Sequence, residues 1–219
     1  MQALNFPPAD WQMSLKNLVT DPAELLALLN LSAEHLPAAE RAAKLFGLRV
    51  PREFVALMQP GDIHDPLLKQ VLPIDAEFVD KAGFITDPLE ESEARPVPGV
   101  VHKYKDRLLL ILSGACAINC RYCFRRHFPY EENRISGPAK ERALDYIRTH
   151  TELREVILSG GDPLVSSDKR LEDLISELSA IEHIERLRIH SRLPVVIPSR
   201  VTERLVRILS NSGLQTALV

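Results

Sequence analysis

Three cysteines, Cys116, Cys120 and Cys123, stand close together in the stretch ACAINCRYCFRRHFPY, and the chain has no others. The spacing C-x3-C-x2-C lets three thiolates take three corners of a cube-shaped 4Fe–4S cluster. A fourth cysteine would close such a cluster; three leave one iron open to bind a small molecule and pass it an electron. His127, four residues after Cys123, would also complete a zinc set of three cysteines and one histidine, although structural zinc sites usually draw on two separated ligand pairs. An odd cysteine count without secretory context argues against a disulfide scaffold. A second group, Gly160-Gly161-Asp162, has the makings of a ligand loop. Glycines admit close backbone approach, and a carboxylate can accept hydrogen bonds from a ligand ammonium. The plainer alternative is a βα turn in which Asp162 caps the next helix.

Both groups follow apolar runs that read as buried strands. Arg107 to Leu112 (RLLLIL) precedes the cysteines, and Val156-Ile157-Leu158 precedes the glycines; continuous runs of this kind suit strands covered on both faces. A helix fits Pro138 to His150. The next is capped by Ser167 or Asp168, with Leu171, Leu174, Ile175 and Leu178 at helical spacing. Leu187-Arg188-Ile189 is a third strand, Thr202 caps a third helix that Gly213 ends, and Gln215 to Val219 begins a fourth strand. Strict alternation predicts right-handed βαβ units and an α/β fold: a partial parallel (β/α) barrel of about four strands over residues 101–219. Loops leaving strand C-termini share one face in such folds. The cysteine loop, the glycine loop and the Ser191-Arg192 loop are therefore predicted to meet.

Residues 1–100 read differently. Eleven of the sixteen prolines lie at or before Pro98, which predicts an α-helical N-terminal extension of short helices. One is capped by Asp21 with Pro22 in its first turn and Glu24 reaching back. A second runs from Pro37 to Phe46, stopped by Gly47. A third carries Phe54, Val55 and Met58, and Asp65-Pro66 opens a fourth. Their leucine-rich faces suit core or interface, and nothing in this part looks catalytic. The acidic, proline-bearing segment 87–98 reads as a connector.

Hydrophobic residues make up 45% of the 219, enough for a core, and 30 acids against 27 bases give a net charge of −3. That balance argues against a nucleic-acid surface, and the longest apolar runs are too short to span a bilayer. The first residues lack the basic-then-apolar order of a signal peptide. A cytoplasmic, reducing setting is expected, where an oxygen-sensitive cluster survives.

With Tyr122 directly before the last cysteine, CRYCFRRHF resembles the radical S-adenosylmethionine (SAM) enzymes. Residues 101–107 (VHKYKDR), LSGGDPL and SRLPVVIPSRVT narrow the resemblance to the lysine 2,3-aminomutase family, and within it to the bacterial type that makes (R)-β-lysine for elongation factor P modification. The resemblance implies an isomerase. Its 4Fe–4S cluster, held by Cys116, Cys120 and Cys123, reductively cleaves SAM to a 5′-deoxyadenosyl radical; pyridoxal 5′-phosphate (PLP) carries the migrating amino group. It implies lysine as small-molecule substrate and an external electron donor, and leaves room for a homo-oligomer. It places Gly160, Gly161, Asp162, Ser191 and Arg192 at SAM, with His190 beside them, Arg125 at the lysine carboxylate, and Tyr104 and Arg107 at PLP. Each has a plainer alternative: packing for His190, Ser191 and Arg192, a solvated base in the Arg125-Arg126-His127 cluster, a strand-edge aromatic for Tyr104, a surface ion pair for Arg107. No lysine follows Lys169, so the family's PLP lysine is expected downstream of Val219. The chain then reads as the front part of a longer protein, inactive by itself in PLP chemistry. A radical SAM enzyme of other substrate and a zinc-stabilised α/β binding module remain as rivals.

Overall fold

Prolines and side-chain caps cut the first part of the chain into short pieces. The computed structural model describes residues 10–80 and 82–219, so the signal-peptide reading of the first nine residues lies outside it. Four helices follow in order: α1 (Trp11–Lys16), α2 (Pro22–Leu28), α3 (Leu36–Ala43) and α4 (Arg52–Val55). Asp21 caps α2 as expected, its carboxylate accepting from the Ala23 amide at 3.0 Å. Glu24 does not reach back; it pairs with Arg52. The helix expected to reach Phe46 stops at Ala43. Buried Asp65 accepts from the amides of Leu67 and Leu68 at 2.8 Å each and of Gln59 at 3.1 Å. It thereby starts a single 3-10 turn, Leu68–Gln70. Trp11, Leu25, Leu29, Val50, Val55 and Leu68 are buried. These elements form one compact unit, made of the described residues up to Pro88 with residues 117–127 and 195–199.

The second unit holds residues 89–116, 128–194 and 200–219. After a connector of turns and bends over 89–99, it builds one sheet from β1 (Val100–Tyr104), β2 (Arg107–Ser113), β3 (Glu155–Gly160), β4 (Arg186–Ile189) and β5 (Gln215–Leu218), in that spatial order. The four expected strands pair in parallel, with Leu108 opposite Val156, Val156 opposite Leu187 and Leu187 opposite Thr216. Helices α5 (Pro138–Thr149), α6 (Asp168–Ser179) and α8 (Glu203–Ser210) make the crossovers, and the short α7 (Leu193–Val196) follows β4. Ser167 caps α6 and Thr202 caps α8, accepting from the Arg170 and Leu205 amides. Gly213 closes the last turn at φ +74°. The fold is thus mixed α/β with four parallel strands, as expected of a partial barrel. One strand was not expected: β1 runs antiparallel to β2, Val100 opposite Leu110 and Tyr104 opposite Arg107. Among the described residues no helix is long and apolar enough to cross a membrane.

Candidate active site

The sheet places two of the loops by backbone contact. Where β2 gives way to the cysteine segment, the Gly161 amide donates to the Ser113 carbonyl at 2.7 Å and the Asp162 amide to the Ala115 carbonyl at 2.8 Å. The Tyr130 hydroxyl donates to the Gly160 carbonyl at 2.8 Å. Both glycines are demanded by this approach. Gly160 sits at φ +118°, and a Cβ there would lie 2.5 Å from the Ser113 carbonyl oxygen. A Cβ on Gly161 would lie 2.4 Å from that of Ala115, so only glycine lets the chains pass.

Asp162 ties this loop to the next one. Its carboxylate, 5% exposed, accepts from the Ser191 hydroxyl at 2.7 Å and from the amides of Arg192, Leu193 and Leu164 at 2.9, 3.0 and 2.9 Å. The Leu164 bond is the cap that the plain βα-turn reading expects, on a 3-10 turn, Pro163–Val165. The other three join the ends of β3 and β4. A carboxylate offers about four lone-pair sites, so these four donors use its capacity.

Burial pushes the Asp162 carboxyl above its usual value, against the downward pull of Ser191 and the three amides. A raised folded value means stability that is fully present below the ordinary value of 3.8 and lost as pH rises through the higher folded value. Asp162→Asn is expected to flatten that fall in thermal-melting scans across the acidic range. An unchanged pH slope would count against it.

None of the three cysteines is in a disulfide, and all are half-buried. Cys116 belongs to the second unit, while Cys120 and Cys123 belong to the first, where the Cys123 amide donates to the Cys120 carbonyl at 2.9 Å. Burial pushes the Cys123 thiol up, with neighbouring Cys120 adding to the rise. Among the described residues no three His, Cys, Asp or Glu side chains are gathered so as to hold a metal ion, so the grouping of the triad rests on its spacing. His127 is exposed. Arg125 is buried, its guanidinium 4.7 Å from the Phe124 ring centroid, which departs from the solvated-base alternative.

Tyr104 and Arg107 lie elsewhere. They face each other across the β1–β2 turn, at the N-terminal end of β2, about 20 Å along the strand from Ser113 at the usual rise per residue. Tyr104 is 63% exposed. The Arg107 guanidinium lies 5.5 Å from its ring centroid and pairs with Asp106 at 3.1 Å, as the surface ion-pair alternative has it.

Arg200 escaped the sequence reading. It is fully buried, donates through Nε to the Leu164 carbonyl at 2.7 Å and through Nη2 to that of Ser166 at 3.3 Å, and pairs with Asp168 at 2.8 Å. It thereby pins the segment that follows Asp162. Its position in SRLPVVIPSRVT was the available signal, but an arginine in a proline-rich turn usually reads as surface.

The model for the radical SAM superfamily matches residues 110–219. An L-lysine 2,3-aminomutase of Escherichia coli (strain K12) is 55% identical over 218 residues, which are 99% of this chain and 64% of that protein. One of Haemophilus influenzae is 50% identical, covering 96% of this chain and 62% of its own length. One of Clostridium subterminale is 38% identical, covering 91% and 48%. The chain thus spans less than two thirds of the length of these curated relatives.

Proposed function

Because this chain belongs to the radical SAM superfamily, and within it to the lysine 2,3-aminomutase family, we propose that it carries the cluster- and SAM-binding part of an aminomutase that converts L-α-lysine to (R)-β-lysine for elongation factor P modification. The observation that carries the reading is three thiols outside any disulfide, in C-x3-C-x2-C spacing, directly after a buried parallel strand. The residues present fit an iron–sulfur cluster by donor chemistry: soft sulfur ligands, three in number, none in a disulfide. Cys116, Cys120 and Cys123 would hold it. When bound, such a cluster supplies the electron that splits SAM's sulfonium bond and frees a carbon radical able to take hydrogen from the substrate.

The chain's own residues have positioning and binding roles. The Gly160-Gly161 backbone, closed against residues 113–115, sets the root of Cys116. Asp162 holds that loop to Ser191 and Arg192, and together these five residues form the proposed SAM-binding edge. Arg125, with its planar fork, is the proposed partner of the lysine carboxylate. PLP is the proposed second cofactor. Tyr104 and Arg107 are its proposed contacts, on the chemistry of an exposed ring beside a guanidinium, and their part is binding alone. The activity is placed in the cytoplasm, with an external electron donor.

Anaerobic reconstitution with iron and sulfide tests this. The expected result is a brown protein absorbing near about 400 nm that releases 5′-deoxyadenosine from SAM under reduction. A colourless protein that retains zinc and leaves SAM intact overturns it.

A further inference from the structure

Within the first unit, the cysteine segment is fastened to the helical part that the sequence reading left without a role. The Asn119 amide donates to the Arg49 carbonyl and its side-chain amide to the Gly47 carbonyl, both at 2.9 Å. The Arg121 amide donates to the Gln70 carbonyl at 2.8 Å. The Arg121 guanidinium reaches the Phe46 carbonyl at 2.7 Å and takes Glu77 by both oxygens, at 2.9 and 2.5 Å. Arg126 meets the same carboxylate at 2.7 Å. Both guanidinium groups also lie over the Phe46 ring, 5.1 and 4.8 Å from its centroid.

One carboxylate therefore bridges two arginines, Arg121 inside the Cys120–Cys123 turn and Arg126 three residues after it. The pairing is nearly dry: the Glu77 side chain is 10% exposed and that of Arg121 7%. Burial opposes the charge on Glu77, yet the hydrogen bonds from Arg121 and Arg126 outweigh it and hold its carboxyl below the usual range. A charge-assisted, partly bidentate fork fixes orientation as well as distance. With the Arg121 fork holding the turn from within and the single Arg126 bond holding the chain just past Cys123, the segment has little freedom.

We propose that Glu77 is a positioning residue of the cluster-binding loop: by clamping Arg121 and Arg126 to the helical part, it presents Cys120 and Cys123 as ligands and keeps the bound cluster from being lost. The proposal deepens the iron–sulfur reading above and rests on it. It gives the N-terminal helices a task in cofactor retention.

The test uses Glu77→Gln, which keeps the shape and removes the charge, and Arg126→Lys, which keeps the charge and removes the planar guanidinium over Phe46. The iron-free chains are digested with trypsin, and cleavage after Arg121 and Arg126 is timed. The reconstituted chains are challenged with an iron chelator, and the cluster's reduction potential is measured.

With circular dichroism unchanged, Glu77→Gln is expected to be cut at those two sites about tenfold faster and to lose iron about tenfold faster, as befits a lost charged hydrogen bond. Its potential is expected to shift, and Arg126→Lys to fall between it and the wild type. If Glu77→Gln does not fold, Arg126→Lys alone decides, by the same faster cleavage and iron loss. Cleavage and iron release at the wild-type rate in a folded variant overturn the clamp. A wild-type chain that takes up no iron overturns the iron–sulfur reading and the proposal with it, and that result differs visibly from two variants that hold iron equally well.

Discussion

Arg200→Ala is expected to lower the unfolding free energy by about 3–5 kcal/mol, the usual cost of removing one partner of a buried ion pair. The change strips a donor from the Leu164 and Ser166 carbonyls and takes from Asp168, only 16% exposed at its side chain, the nearer of its two cations, leaving Arg204 at 3.8 Å. Each loss alone is costly, because a buried acceptor without a donor carries its full desolvation penalty. Urea unfolding followed by circular dichroism should show a midpoint lower by about 1–2 M at ordinary denaturant slopes. Arg200→Lys should recover only part of this, since a compact ammonium cannot meet three acceptors that a planar fork spans. A midpoint unchanged in both variants would show that the pair contributes nothing to the fold.

Gly161→Ala is the second. The new methyl group would sit 2.4 Å from the Ala115 carbonyl oxygen and 2.8 Å from its carbon, and backbone cannot swing aside as a side chain can. The expected cost is about 1–3 kcal/mol, that of overpacking a filled site. The strain falls on the residue before Cys116, so iron retained after reconstitution should drop as well. Gly47→Ala is the matched control: the nearest atom to its added Cβ is the Ala43 carbonyl oxygen at 4.0 Å, and stability should stay within about 0.5 kcal/mol. Equal iron content in both variants would separate the glycine loop from the cysteine segment.

Much of this architecture could be read from the residues because local signals and long-range packing agree. Leu108 to Leu112, Val156 to Leu158, and Leu187 with Ile189 are apolar where buried parallel strands need them, and Ser167 and Thr202 cap the helices they precede. β1 stayed hidden because VVHKY is half polar and its two-residue turn, Lys105-Asp106, lacks the glycine or asparagine that usually marks a hairpin. The glycine loop was visible as a close approach, but what approaches is the chain's own segment 113–115. Asp162 was legible as a polar group in the right place. That three of its four donors follow β4 agrees with the expected meeting of those two loops, while the individual bonds depend on backbone geometry that no local pattern carries. Glu77 was the least legible. It sits in an acidic surface-like stretch, and only its partners, 44 and 49 residues away, give it meaning.

The chain has a single tryptophan, and Trp11 lies buried in α1 of the first unit. Light emitted on excitation at the red edge of protein absorption therefore comes from that unit alone. A change in indole emission is thus a label-free report on the surroundings of Trp11, while the dichroism signal sums the helices of both units.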